Sequence, residues 1–204
     1  MKKAYLFLAD GFEEIEALAT IDILRRGGVD VTSVSINPTA TVTGAHSITV
    51  TADTLLTSLP DTLPDADMLI APGGMPGAKN LADNPRVCAY FKAQDAASRH
   101  VAAICAAPAV LLAPLGILNG RQATAYPGFE QGLIAGGAIH TPDRVVTDAH
   151  LITANGPSSA IPFGLACLSA LTTPDNAAQV AAGMLLCPPA HTHKTYQNYP
   201  NYKN

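Results

Sequence analysis

The segment Ala103-Ile104-Cys105-Ala106-Ala107-Pro108 puts a cysteine at the end of an apolar run, Val101 to Ile104, and at the start of a helix-like stretch. A nucleophile at such a strand-to-helix elbow is held in a strained backbone conformation, which demands small residues two before and two after it. Both are alanine here, Ala103 and Ala107. Pro108 suits a first helical turn, where its missing amide is no loss. The free amides and positive end of that helix favour thiolate over thiol, so Cys105 is expected to have a depressed pKa and to be nucleophilic near neutral pH. An arbitrary free cysteine is more often a buried core residue; the elbow context argues for reactivity.

Glu13, Glu14 and Glu16 open a helix just after the first apolar run, and Glu16 is the carboxylate expected beside Cys105. A neighbouring thiolate and partial burial each raise a carboxyl pKa, so Glu16 can stay protonated, donate a hydrogen bond to sulfur and form a proton relay with it. Glu13 and Glu14 are read as acids that merely favour the positive start of a helix. The amides of Gly74 and Ala106 are candidates for an oxyanion hole, one following a glycine-rich turn and the other following the nucleophile. Gly73 belongs to the same Pro72-Gly73-Gly74 turn, whose glycines let backbone amides approach a ligand.

These groups need a scaffold that brings them to one edge. Short β-rich runs alternate with helical patterns, the signature of a parallel sheet covered by helices on both faces. The spacing predicts strands over Lys3–Ala9, Val29–Ile36, Asp67–Ala71, Val101–Ile104, Arg144–Thr147 and Leu151–Thr153, with a hairpin or extended excursion over Thr41–Val50. Helices are predicted over Glu13–Arg26, Asn84–Ser98, the residues after Cys105, Ser159–Leu171 and Pro174–Leu186. In an open parallel sheet ligands bind beyond the carboxyl ends of strands, near the point where strand order reverses. Asp10 to Glu16, Gly73-Gly74 and Cys105 all follow such ends.

The chain has 204 residues, 48% of them hydrophobic, and no Ser/Gly-rich or charged linker divides it. One domain is expected over 1–187, followed by a polar C-terminal extension, 188–204, without apolar periodicity. Twelve basic residues stand against 16 acidic ones and no basic cluster exceeds Arg25-Arg26, which argues against nucleic acid or anionic membrane as a partner. No run is long enough to span a bilayer, and the apolar stretch after Lys2-Lys3 is too short for a signal peptide. The four cysteines, Cys88, Cys105, Cys167 and Cys187, form no C-x-x-C pair, so a reducing, cytoplasmic setting is expected. His191-Thr192-His193 lacks an acidic or thiol companion, and no metal is assigned.

Leu8-Ala9-Asp10-Gly11-Phe12-Glu13-Glu14-Ile15-Glu16, Ala71-Pro72-Gly73-Gly74, Ala102 to Pro108 and Asn155-Gly156-Pro157, taken in order, resemble the DJ-1/ThiJ/PfpI superfamily and most closely its DJ-1 branch. The resemblance runs from Lys2 to about Leu186. It implies a flavodoxin-like three-layer α/β sandwich with a nucleophile elbow, a homodimer, Cys105 as the reactive cysteine and Glu16 as its carboxyl partner. The activities it implies are cofactor-independent conversion of methylglyoxal or glyoxal to hydroxy acids, deglycation, redox sensing and chaperone action. Two positions depart from the branch. Tyr126-Pro127 stands where animal members have His-Pro, so a ready imidazole base is missing and Tyr126 is left as a donor or substrate-binding residue. His46 falls where an arginine can contact an oxidised cysteine.

Protease-like members of the superfamily carry a His immediately after the cysteine, where this chain has Ala106. The late His-x-Glu of glutamine amidotransferases is also missing, since no histidine here is followed by Glu at that spacing. Two readings follow. Cys105 is the nucleophile of an enzyme acting on small aldehydes without a cofactor, which fits the lack of a G-x-G-x-x-G fingerprint; alternatively, it is a peroxide sensor whose oxidised sulfur is stabilised by protonated Glu16.

Overall fold

The computed structural model describes residues 1–186. The polar extension, Cys187 and the two tail histidines lie outside the described residues.

In chain order the elements are β1 (Lys3–Leu8), α1 (Glu14–Arg26), β2 (Asp30–Ser35), β3 (Thr41–Thr43), β4 (Thr49–Thr51), β5 (Thr54–Leu55), β6 (Met68–Ala71), α2 (Gly77–Ala82), α3 (Pro85–Ala96) and β7 (His100–Ile104). They continue with β8 (Gln122–Ala123), α4 (Glu130–Ala135), β9 (Ile139–His140), β10 (Val145–Asp148), β11 (Leu151–Ala154), α5 (Ala160–Leu171) and α6 (Pro174–Gly183). Seven strands form the central sheet in the order β10-β11-β7-β6-β1-β2-β5. All neighbours are parallel except the edge pair β10 and β11. The five main parallel strands β2-β1-β6-β7-β11 therefore follow the flavodoxin order 2-1-3-4-5, with the reversal between β1 and β6.

Helices on both faces explain why β6 is buried throughout and why β1 and β7 are buried except at their first residues. Strands covered on both sides read as unbroken apolar runs rather than alternating ones. α1 packs on α5, and α5 packs on β11, β10 and β7. α3 packs on β6 and β7; right-handed crossovers leaving the two sides of the reversal place it on the opposite face from α1. Helix stops are local. α1 ends at Gly27, and α3 begins behind Asn84, whose side chain accepts from the amides of Arg86 and Val87.

Apart from the helix expected after Cys105, the expected strands and helices are present with shifts at their ends; α6, for instance, stops at Gly183 rather than Leu186. The excursion at 41–50 is the antiparallel hairpin β3–β4. Its loop docks on the start of α1, with the Ala45 amide donating to the Phe12 carbonyl at 2.8 Å. The helix expected after Cys105 is different. It is a single five-residue π turn, Pro108–Leu112, and the chain then proceeds through turns.

Candidate active site

Cys105 leaves β7 with φ 66, a left-handed conformation that a residue bearing a Cβ adopts at a cost of about 1 kcal/mol. Its neighbours hold it there. The Cys105 amide donates to the Ala154 carbonyl on β11, and the Cys105 carbonyl accepts from the Tyr126 amide, each at 2.8 Å. Ala103 and Ala107 are completely buried, which is the reason the elbow requires small residues. The cysteine itself is 8% exposed, so the site opens narrowly to solvent.

The carboxyl side of the site comes from α1. Glu13 caps that helix, its side chain accepting from the Glu16 amide at 2.7 Å. Glu16, one turn in, is fully buried and accepts from the Gly73 amide at 2.8 Å. Gly73 is the point of closest approach: a Cβ there would lie 2.5 Å from Cys105 Cβ, 2.7 Å from Glu16 Oε2 and 2.9 Å from Cys105 Sγ. Only a glycine lets sulfur and carboxyl come this close across the loop. The sulfur also lies against the amides of Gly74 and Ala106. Glu16, Gly73, Gly74, Ala106 and Cys105 therefore stand together beyond β6 and β7, next to the strand-order reversal.

Electrostatics correct one expectation. Cys105 is not depressed; burial first, and then the Glu16 charge, push its pKa up to about 12, against the lowering effect of the Gly74 and Ala106 amides. Glu16 is raised to about 7, chiefly by burial, with the Glu13 charge adding to it and the Gly73 amide opposing it. Its Oε1 is buried without a hydrogen-bond partner. The pair thus goes from two protons to one as pH rises through about 7. In such a pair a nucleophilic sulfur would arise by passing the thiol proton to the carboxylate rather than from a preformed thiolate.

Tyr126 is tied to the elbow through its backbone, and its ring rests on Gly156, where a Cβ would come within 3.0 Å of Cδ2. His46 is bonded to α1. Its ring Nδ1 sits 2.8 Å from Glu14 Oε2, and Glu14 Oε1 also accepts from the His46 amide at 2.7 Å. Glu14 is therefore more than a helix-start acid: buried on α1, it fastens the β3–β4 loop. No sequence signal reveals a pairing across 32 residues. Asn155-Gly156-Pro157 forms the turn after β11, where Asn155 Oδ1 accepts from the Ser159 hydroxyl at 2.7 Å and Arg144 Nε donates to that same hydroxyl at 3.2 Å. Arg144 and Ser159 were not anticipated.

Comparison with known proteins agrees with this architecture. The DJ-1/PfpI family model matches residues 2–170. The chain belongs to the DJ-1/PfpI family. Protein DJ-1 homolog A of Arabidopsis thaliana is 37% identical over 187 residues, 92% of this chain and 47% of the relative. The chain thus spans about half the length of the plant relatives it matches. The glutathione-independent glyoxalase DJR-1.2 of Caenorhabditis elegans is 34% identical, with 80% of this chain and 84% of that protein aligned. The solved structure of oxidized DJ-1 from Toxoplasma gondii superposes with a TM-score of 0.86 at 36% identity, covering 91% of this chain and 98% of its own.

Proposed function

We propose that the protein converts small α-oxoaldehydes to hydroxy acids through Cys105, without a cofactor. The observation that carries this reading is the strained Cys105 beside a buried carboxyl whose pKa of about 7 lets it take and return protons at neutral pH. With methylglyoxal, the thiol adds to the aldehyde carbon as its proton passes to Glu16 and from there to the aldehyde oxygen, giving a hemithioacetal. Glu16, deprotonated again, removes the hydrogen from that carbon, and reprotonation of the enediol at the neighbouring carbon leaves a thioester. Water then cleaves the C–S bond, sulfur regains its proton and lactate leaves. One carbon is oxidised and its neighbour reduced, so no outside oxidant or reductant is involved. The amides of Gly74 and Ala106 are assigned to the developing oxyanion. Deglycation of aldehyde adducts is the related activity open to the same groups. A C. elegans relative named as a glutathione-independent glyoxalase supports the assignment.

A second reading has its own support. Protonated Glu16, with Oε1 free of partners, has the donor that an oxidised Cys105 sulfur needs. Lactate formation that is lost in Cys105→Ser and reduced in Glu16→Gln supports the enzyme. Stoichiometric oxidation of Cys105 by peroxide, with no lactate, supports the sensor.

A homodimer in a reducing, cytoplasmic setting completes the proposal. Ile15 and Leu18 on one face of α1, Ile48 in the hairpin loop and Met75 after the Gly74 turn are all more than 40% exposed. They surround the start of α1, to which the hairpin loop is bonded, and form an apolar patch suited to a second copy of this chain. Leu18→Glu is expected to turn a dimer into a monomer on sizing with light scattering; an unchanged mass would assign the contact elsewhere. Among the described residues, no helix is long and apolar enough to cross a membrane.

A further inference from the structure

We infer that Tyr126 is an aromatic platform that selects the carbon substituent of the substrate, favouring aryl α-oxoaldehydes over methylglyoxal; this rests on the oxoaldehyde reading above. Two sides of the nucleophile are built from different strands. On the β6 side, Gly73, Gly74 and Glu16 close on sulfur and provide its polar partners. On the β11 side stand Ala154, whose carbonyl accepts from the Cys105 amide, and Gly156, two residues further on. Tyr126 belongs to this second side.

Its position is fixed at one end and open at the other. The Tyr126 amide donates to the Cys105 carbonyl, and its carbonyl accepts from Phe129 at 3.0 Å, closing a turn. The ring lies on Gly156, where a Cβ would be 3.0 Å from Cδ2 and 3.4 Å from Cε2. Gly156 itself has φ 150, which a residue with a Cβ rarely adopts. Backbone and space both require glycine here, and the consequence is that the ring seats against the main chain beside the elbow. Yet Tyr126 is 44% exposed, and among the described residues its hydroxyl makes no hydrogen bond. A large ring anchored to the nucleophile's own peptide bond, with a face and a hydroxyl left over, is poorly explained by core packing. A planar apolar group attached to the reacting carbonyl pair would have a surface on which to stack, whereas a methyl group would gain little from it.

The test compares kcat/KM for phenylglyoxal and methylglyoxal in wild type, Tyr126→Phe, Tyr126→Leu and Tyr126→Ala. An aromatic contact of this kind changes the phenylglyoxal preference by about three- to tenfold. The phenylglyoxal-to-methylglyoxal ratio is expected to fall by that factor in the Ala and Leu variants and to hold in Phe. An unchanged ratio in Tyr126→Ala, or an equal loss on both aldehydes, overturns the platform. Thermal unfolding identifies a variant that fails to fold. If wild type turns over neither aldehyde, the oxoaldehyde reading fails separately, and the platform is judged by binding. Mandelate should then protect Cys105 from iodoacetamide at lower concentration than lactate in wild type and Tyr126→Phe, but not in Tyr126→Ala. Equal protection by the two acids in wild type refutes the platform.

Discussion

Alkylation of Cys105 as a function of pH separates a preformed thiolate from a thiol that hands its proton to Glu16. With Glu16 at about 7 and the thiol at about 12, the reactive one-proton form of the pair appears as Glu16 ionises. Its population rises from about one tenth at pH 6 to about nine tenths at pH 8. The iodoacetamide rate constant should therefore climb roughly tenfold over that interval and then flatten until the thiol itself begins to titrate. Glu16→Gln removes the acceptor and also the negative charge that raises the thiol. Burial still holds that thiol above its ordinary value, so the variant should be roughly tenfold or more slower at pH 7 and rise without a plateau toward alkaline pH. Cys88 is partly exposed, so the reaction is followed on the Cys105 peptide by mass spectrometry. A wild-type rate that is flat from pH 5 to 9 would mean a thiolate of low pKa, and the proton-transfer account would be refuted. Superimposable profiles for wild type and Glu16→Gln would refute it equally.

Three further perturbations probe the same construction. Glu16 binds its proton more tightly folded than unfolded, so its contribution to stability is present below about 4.5 and is lost as pH rises through about 7. Moving the carboxyl between these values is worth up to about 3 kcal/mol. Glu16→Gln should accordingly be more stable than wild type in urea at pH 8 and similar to it at pH 4.5; equal stability at both would show that burial does not strain this carboxyl. Gly73→Ala places a methyl 2.5 Å from Cys105 Cβ and 2.7 Å from Glu16 Oε2, and overpacking of this kind costs about 1–3 kcal/mol. Activity should fall well over tenfold and Tm should drop, whereas near-normal turnover would contradict the geometry of the site. At the far end of β7, His100 has Nδ1 buried without a partner, and burial together with His150 lowers its pKa, while nearby Asp67 opposes the shift and Lys2 adds to it. A histidine held neutral gives stability that is present above about 6.5 and lost as pH falls below it, so His100→Leu should flatten the acid limb of a denaturation series. An unchanged limb would assign that limb to other groups.

The parts of this fold legible in the sequence were those written in local pattern. Unbroken apolar runs marked β1, β6 and β7, the helical pattern over Glu13–Arg26 marked α1, and the alanines around Cys105 marked the elbow. Short elements without their own periodicity escaped, among them β5, α2, the β8–β9 pair and α4. Each of these is only two to six residues long and is set by what it docks against. In the site, Glu16 and Cys105 could be paired because both follow strands that a parallel sheet aligns. The sign of the Cys105 shift could not be read, since it depends on how deeply the sulfur is buried and on how close the Glu16 charge lies. The Glu14–His46 clamp was equally hidden, because a hairpin loop meets α1 only after the chain has folded.

Cofactor-free formation of lactate from methylglyoxal tests the central claim most directly, with wild type, Cys105→Ser, Glu16→Gln and heat-treated protein run side by side. The account predicts many lactate molecules per protein, none above background from Cys105→Ser or heated protein, and a much reduced yield from Glu16→Gln. Methylglyoxal consumption that stops at one adduct per Cys105 with no lactate released would contradict it.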